Sequence, residues 1–143
     1  MKKLIPIIIL LLCSLCFAAN EVKIAYEVGN TLYFRVFNAT GQVWNTALAT
    51  PAFQAWDDAQ VANYDVALAG TGGSFYTGTF PSLDDGIYSV VGYLRAGGAP
   101  AVDDGVLSAG LMIWIGGAEF TLYDLKTLNA ILMPSTRAGE VQR

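Results

Sequence analysis

Apolar and polar residues alternate in short runs along most of the chain, and Gly, Asn, Asp and Pro separate the runs. In residues 31–38, Leu32, Phe34 and Val36 would share one face of an extended chain, with Tyr33 and Arg35 on the other. A period of two residues is that of a β-strand with one face toward a core. The predicted strands cover residues 22–28, 31–38, 42–45, 63–69, 74–80, 87–95, 107–115 and 119–123. The pattern therefore predicts an all-β domain of about seven to nine strands.

The links between these runs hold no long helix, which disfavours a parallel sheet with helical crossovers. Gly29-Asn30 lies between the first two strands and predicts a hairpin. Residues 107–115 are apolar on both faces and indicate a central strand, whereas residues 124–133 predict a short helix with Asp124 as its N-cap. Two antiparallel sheets packed face to face, or a small barrel, fit this arrangement. We expect an Ig-like antiparallel β-sandwich.

The first 19 residues have a different composition from the rest. Lys2 and Lys3 precede an apolar run that reaches Leu12, and the small residues Ala18 and Ala19 end the segment. Charge, apolar run and small-residue exit, in that order, indicate a cleavable secretory signal peptide of bacterial type. This predicts export to the periplasm, the cell surface or the medium. Residues 20–133 are then the folded domain, and residues 134–143 a flexible C-terminal tail.

Two other interpretations of the first segment stay open. An uncleaved membrane anchor needs roughly 20 apolar residues, and the run here is shorter. A lipoprotein needs small residues before the lipidated cysteine, but leucines precede both Cys13 and Cys16. With cleavage after Ala18 or Ala19, no membrane contact is expected for the mature chain.

The composition excludes several classes of function. The sequence has no histidine, and both of its cysteines lie in the predicted signal. Ser-His-Asp and Cys-His catalysis, histidine-ligated zinc sites and disulfides are therefore excluded from the mature chain. Without Lys2 and Lys3, six basic residues remain against twelve acidic ones. The basic residues form no patch, so nucleic acid is not an expected partner.

Residues 80–90 contain Phe80-Pro81, a polar turn and the segment Gly86-Ile87-Tyr88-Ser89-Val90. This segment resembles the entry into a late strand of extracellular Ig-like and transthyretin-like sandwich modules. The preceding Tyr76-Thr77-Gly78-Thr79 fits the strand that pairs with it, so the resemblance covers about fifteen residues. It implies a sandwich with an adhesive or spacer role. Such modules share no catalytic residues, so the resemblance implies none here.

Three acidic pairs in predicted loops are candidate calcium ligands, because calcium takes six to eight oxygen ligands. They are Asp57-Asp58, Asp84-Asp85 and Asp103-Asp104. No D-x-D-x-D-G loop is present, and Asp-Asp-Gly is also ordinary turn chemistry, so no cofactor is expected. The same carboxylates allow a third hypothesis, a small hydrolase, since glycosidases need only two carboxylates.

The leading hypothesis is a secreted, non-enzymatic protein with a structural or interaction role in an extracellular assembly. Its partner would be a second copy of itself or another surface protein. The first mature strand, with Val22, Ile24 and Tyr26, would add to the sheet of a neighbour. The alternative hypothesis is a carbohydrate-binding module that uses Trp44 and Trp56 as exposed aromatic anchors.

Overall fold

The structure is a computed structural model that describes residues 21–132, with backbone alone beyond residue 127. The predicted signal peptide (residues 1–19) and the predicted tail (residues 134–143) lie outside the described residues. Within residues 21–132, no helix has both the length and the apolar character needed to cross a bilayer.

In residues 21–132, ten strands form two antiparallel sheets, which confirms the predicted all-β fold. The small sheet has the order β1-β7-β6, and the large sheet has the order β10-β9-β8-β2-β3-β4, with β5 also paired to β2. The small sheet consists of β1 (Val22–Ala25), β6 (Ala69–Gly72) and β7 (Phe75–Gly78). The large sheet consists of β2 (Leu32–Phe37), β3 (Val43–Asn45), β4 (Ala52–Gln54), β5 (Val66–Ala67), β8 (Gly86–Leu94), β9 (Gly105–Ile115) and β10 (Ala118–Glu119).

The core lies between the two sheets and follows the alternation of the sequence. Leu32, Phe34 and Val36 of β2 are buried there against Val22 and Ile24 of β1. Aromatic side chains from β7, β8 and β9 complete this core. Burial of large apolar side chains from both sheets is the main favourable contribution to folding.

The predicted hairpin of residues 22–28 with residues 31–38 is wrong, because β1 pairs with β7 and β2 pairs with β8. The connection crosses from one sheet to the other, and Tyr76 holds it in place. The Tyr76 hydroxyl donates to the carbonyl of Glu27 (2.9 Å) and accepts from the N–H of Asn30 (3.1 Å). Gly29, at φ +88°, supplies the turn that the sequence indicated.

The outer face of β2 is also buried, which the sequence did not predict. A short 3₁₀ helix, Asp58–Asn63, follows Trp56 and ends where the strand of residues 63–69 was predicted to begin. Trp56 lies 6.3 Å from Phe37 and 5.2 Å from Tyr64, measured between ring centroids. This second, smaller cluster covers β2 from the side opposite the main core.

The C-terminal helix α1 (Leu122–Leu132) is present as predicted, with a different N-cap. Thr121 precedes the helix, and its N–H and hydroxyl donate to the carboxylate of Asp124 (2.7 and 2.6 Å). Thr121 is therefore the N-cap, and Asp124 is the third helical residue of a capping-box pair. The hydrogen bonds to Thr121 lower the pKa of Asp124.

Candidate functional site

Among the described strands, β9 has the longest edge without a strand partner. β9 pairs with β8 from Gly105 to Trp114, whereas β10 covers only Trp114 and Ile115 on its other side. One further hydrogen bond joins the N–H of Phe120 to the carbonyl of Ile113 (2.7 Å). Across residues 105–112, no strand within the described part of the chain pairs with this edge.

The hydrogen bond to Ile113 also shows which backbone groups face outward. The N–H and C=O of one strand residue point to the same side, and successive residues alternate. Because Ile113 faces β10, Ala109 and Leu111 point their backbone groups away from β8. Gly110 and Met112 point theirs toward β8. The free edge therefore offers donors and acceptors to another strand.

The outer face beside this edge is apolar and exposed. Leu111 is 75% exposed, and the neighbouring pair Ile87 and Ile113 is 56% and 40% exposed. Leu111 and Ile113 line a surface cavity of about 340 Å³, together with Leu122 and Leu125 of α1. Met112 and Trp114, at the alternate positions, are buried in the core. The central position predicted for residues 107–115 is thus wrong for most of the strand, because one of its apolar faces and one of its edges meet solvent.

Little protects this edge from pairing with another chain. Edge strands usually carry a charge, a proline or a bulge that prevents such pairing. β9 holds no charged residue and no proline. The pairing with β8 shifts in register once, since Gly92 pairs with Ser108 but Tyr93 pairs with Val106. This irregularity leaves residues 108–112 regular.

The residues predicted for self-association lie elsewhere. Val22 and Ile24 are buried in the core of their own molecule, and Tyr26 is half-buried against it. The outer edge of β1 nevertheless lacks a described strand partner, and β1 and β9 line a shared groove of about 250 Å³. The two free edges therefore lie on the same side of the sandwich.

The two tryptophans predicted for sugar binding do not share a surface. Trp44 is half-buried and packs against the core between the sheets, 5.0 Å from the ring of Phe53. Trp56 lies over the opposite face of the large sheet, where the guanidinium carbon of Arg35 is 5.1 Å from its ring centroid. A ligand of the size of one sugar ring cannot contact both.

Arg35 is almost fully buried, at 1% exposure, and belongs to a hydrogen-bonded network. Its Nη2 donates to the Tyr33 hydroxyl (2.9 Å), and that hydroxyl donates to Asp104 (2.8 Å). Asp104 also accepts from the N–H groups of Ala96 (3.0 Å) and Ala101 (2.8 Å). Burial alone would raise the pKa of Asp104, but these hydrogen bonds and the Arg35 charge lower it. Burial, followed by the bond to Asp104, raises the pKa of Tyr33.

The other predicted calcium ligands are dispersed. Asp57 caps the 3₁₀ helix through the N–H of Ala59 (2.9 Å), and Asp58 accepts from the Trp56 indole (2.6 Å). Asp85 accepts from the N–H of Gly116 (2.7 Å). The carboxylates of Asp84 and Asp103 are exposed. In residues 21–132, no three acidic side chains converge in the way a metal ion requires.

Comparison with known proteins gives no relative from which a role can be transferred. No family model matches the chain, and no curated protein or solved structure matches it. Function is therefore inferred from the chain's own surface and sequence.

Proposed function

We propose that the protein is an exported, non-enzymatic module of an extracellular assembly, joined to a second copy by antiparallel pairing of β9 edges. The observation that supports this most directly is the free edge of residues 105–112, which has neither charge nor proline. Export rests on the signal-like residues 1–19, and an adhesive or spacer role is what the resemblance of residues 80–90 implies.

Pairing of two β9 strands would satisfy the outward N–H and C=O groups of Ala109 and Leu111 in both copies. A two-fold axis brings the same surface of each copy together, so one free edge is sufficient. The large sheet then continues from one molecule into the next. The side chain of Leu111, which is 75% exposed in the single chain, would gain apolar contacts across the interface.

β9 is a better candidate for this contact than β1. β1 has four residues and carries the charge of Lys23, whereas β9 carries no charge. Val22 and Ile24 of β1 also belong to the core of their own molecule. Deleting residues 19–28 would remove a core strand, so loss of an oligomer in that variant would not distinguish pairing from unfolding. Single substitutions on β9 avoid this problem.

The test is light scattering after size-exclusion chromatography of the mature chain, beginning at Ala19, over a range of concentrations. We expect a dimer or larger species for the unsubstituted chain. Ala109→Pro should give a monomer, because it removes only an outward N–H and leaves the ladder to β8 intact. Circular dichroism checks that the variant is folded.

Ile87→Lys is the matched control. Ile87 lies on the same exposed face but on β8, one strand inside the edge. A charge there should leave edge pairing unchanged. A monomer for the unsubstituted chain, or dissociation by Ile87→Lys as well as by Ala109→Pro, would contradict edge pairing. The second result would indicate stacking of sheet faces instead.

A further inference from the structure

A second surface, separate from β9, has the form of a small-ligand site. A cleft of about 480 Å³ opens between the β3–β4 hairpin and the loop that precedes β8. Trp44 and Phe53 line it from the hairpin, and Ser82 and Asp84 line it from the loop. The volume lies within the range of about 300–1,000 Å³ that is common for small-molecule sites.

The walls of this cleft are held in place by contacts within the protein. The Trp44 ring meets the Phe53 ring edge-on at 61°, and Phe53 stacks on Tyr88 with centroids 5.7 Å apart. The Tyr88 hydroxyl donates to the backbone carbonyl of Asp84 (2.8 Å), which ties the loop to the aromatic wall. A preformed site avoids part of the ordering cost of binding.

The polar groups of the cleft define the chemistry of a ligand. The lining contains no lysine or arginine, and the Asp84 carboxylate is exposed with no described side chain donating to it. The Asn38 amide at the rim already bonds to Thr40 and Gln42. The free groups are therefore a carboxylate acceptor and the Ser82 hydroxyl. These groups suit hydroxyl donors, whereas Asp84 and the excess of acidic over basic residues in the mature chain repel anions.

We propose that this cleft binds one neutral sugar ring of an oligosaccharide. The apolar C–H face of the ring would lie on the exposed part of Trp44, because the face of an aromatic ring is electron-rich and attracts such hydrogens. Sugar hydroxyls would donate to Asp84 and exchange hydrogen bonds with Ser82. Trp56, on the opposite face of the sheet, takes no part.

The test is isothermal titration calorimetry with cellohexaose, xylohexaose, mannohexaose and chitohexaose, and with hexagalacturonate as the acidic probe. We expect at least one neutral hexasaccharide to bind. Both Asp84→Ala and Trp44→Ala should weaken that binding by about tenfold or more. Asp84 is exposed, so its variant tests the proposal even if Trp44→Ala fails to fold.

Trp56→Phe and Asp103→Ala are the matched controls, since both residues lie away from the cleft. They should bind within about twofold of the unsubstituted chain. Absence of binding by all four neutral sugars would overturn the proposal. Binding of hexagalacturonate alone, or an affinity that Asp84→Ala and a folded Trp44→Ala leave unchanged, would overturn it as well.

Discussion

Removal of the Asp104 carboxylate should destabilise the protein far more than removal of its neighbour. Asp104 is 5% exposed and accepts three hydrogen bonds, two from backbone N–H groups and one from Tyr33. Asp103, next to it in the same loop, is exposed and accepts none among the described residues. The pair Asp104→Ala and Asp103→Ala therefore compares the same chemical change inside and outside the network.

The magnitude follows from the groups that Asp104→Ala leaves unpaired. A hydrogen-bonding group left unsatisfied in a buried site costs about 1–3 kcal/mol. The N–H groups of Ala96 and Ala101 are only partly buried, so each is expected at the low end of that range. The Tyr33 hydroxyl and the Arg35 charge behind it are buried. Together these losses reach about 3–4 kcal/mol, in the range measured when one member of a buried charge network is removed.

The assay is urea unfolding at pH 7, followed by tryptophan fluorescence, with the free energy of unfolding from linear extrapolation. Asp103→Ala should change this free energy by less than about 0.5 kcal/mol. Tyr33→Phe should fall between the two, since it removes the hydroxyl but keeps the ring. A loss below about 1 kcal/mol for Asp104→Ala would show that water or another group satisfies the network.

The pH dependence provides a second check on the same carboxylate. The pKa of the Asp104 carboxyl is lower in the folded protein than in the unfolded chain, where it is about 3.8. The carboxylate therefore contributes fully to stability above the unfolded pKa, and this contribution is lost as the pH falls through the lower folded pKa. The difference between the unsubstituted chain and Asp104→Ala should therefore be constant from about pH 5 to pH 7 and shrink below about pH 4. A difference that grows on acidification would contradict the assigned direction.

Three other substitutions, two of them with a matched control, test the packing and the edge. Gly78→Ala should lower the free energy of unfolding by about 1–3 kcal/mol, because a Cβ there would lie 2.7 Å from Leu68 Cδ2. Gly110→Ala is the control, since a Cβ there would have no atom within 4 Å. It should be neutral or stabilising in thermal unfolding. Tyr76→Phe should cost about 1–2 kcal/mol in urea by removing both hydrogen bonds of its hydroxyl, whereas at Tyr123, whose side chain is exposed, the same change should have no effect. Leu111→Lys should lower the oligomeric mass while circular dichroism shows an unchanged fold, because Leu111 is 75% exposed in a single copy. An unchanged mass would argue against edge pairing.

The strand segments were predictable because their alternation is local. Residues 87–95 were predicted as a strand and β8 runs from Gly86 to Leu94. The hairpin of the first two strands was not predictable in the same way. A glycine turn fits a hairpin and a crossing between sheets equally well, and the choice depends on Tyr76, 46 residues beyond Asn30. Strand pairing is a long-range property that alternation alone does not specify.

The candidate sites show the same division between local and long-range information. Alternation correctly separates Arg35 from Phe34 and Val36, but it cannot show that Trp56 and the loop containing Asp104 cover that second face. Nor could it separate Trp44 from Trp56, since their faces depend on how the chain after β4 folds over the sheet. The cleft beside Trp44 likewise needs the loop before β8, which is distant in sequence.

The position of the free surface follows from how the large sheet is covered. β2 is buried on both faces, by the small sheet on one side and by Trp56 and the 96–104 loop on the other. The same outer face is left open at Ile87 and Leu111, on β8 and β9. An apolar face costs free energy in water wherever nothing covers it. Exposed side chains such as Leu111 and Ile113 on an uncovered edge strand are therefore unfavourable for an isolated monomer. A second molecule that adds its own strand at β9 would remove part of that free-energy cost, and it would also satisfy the free backbone groups.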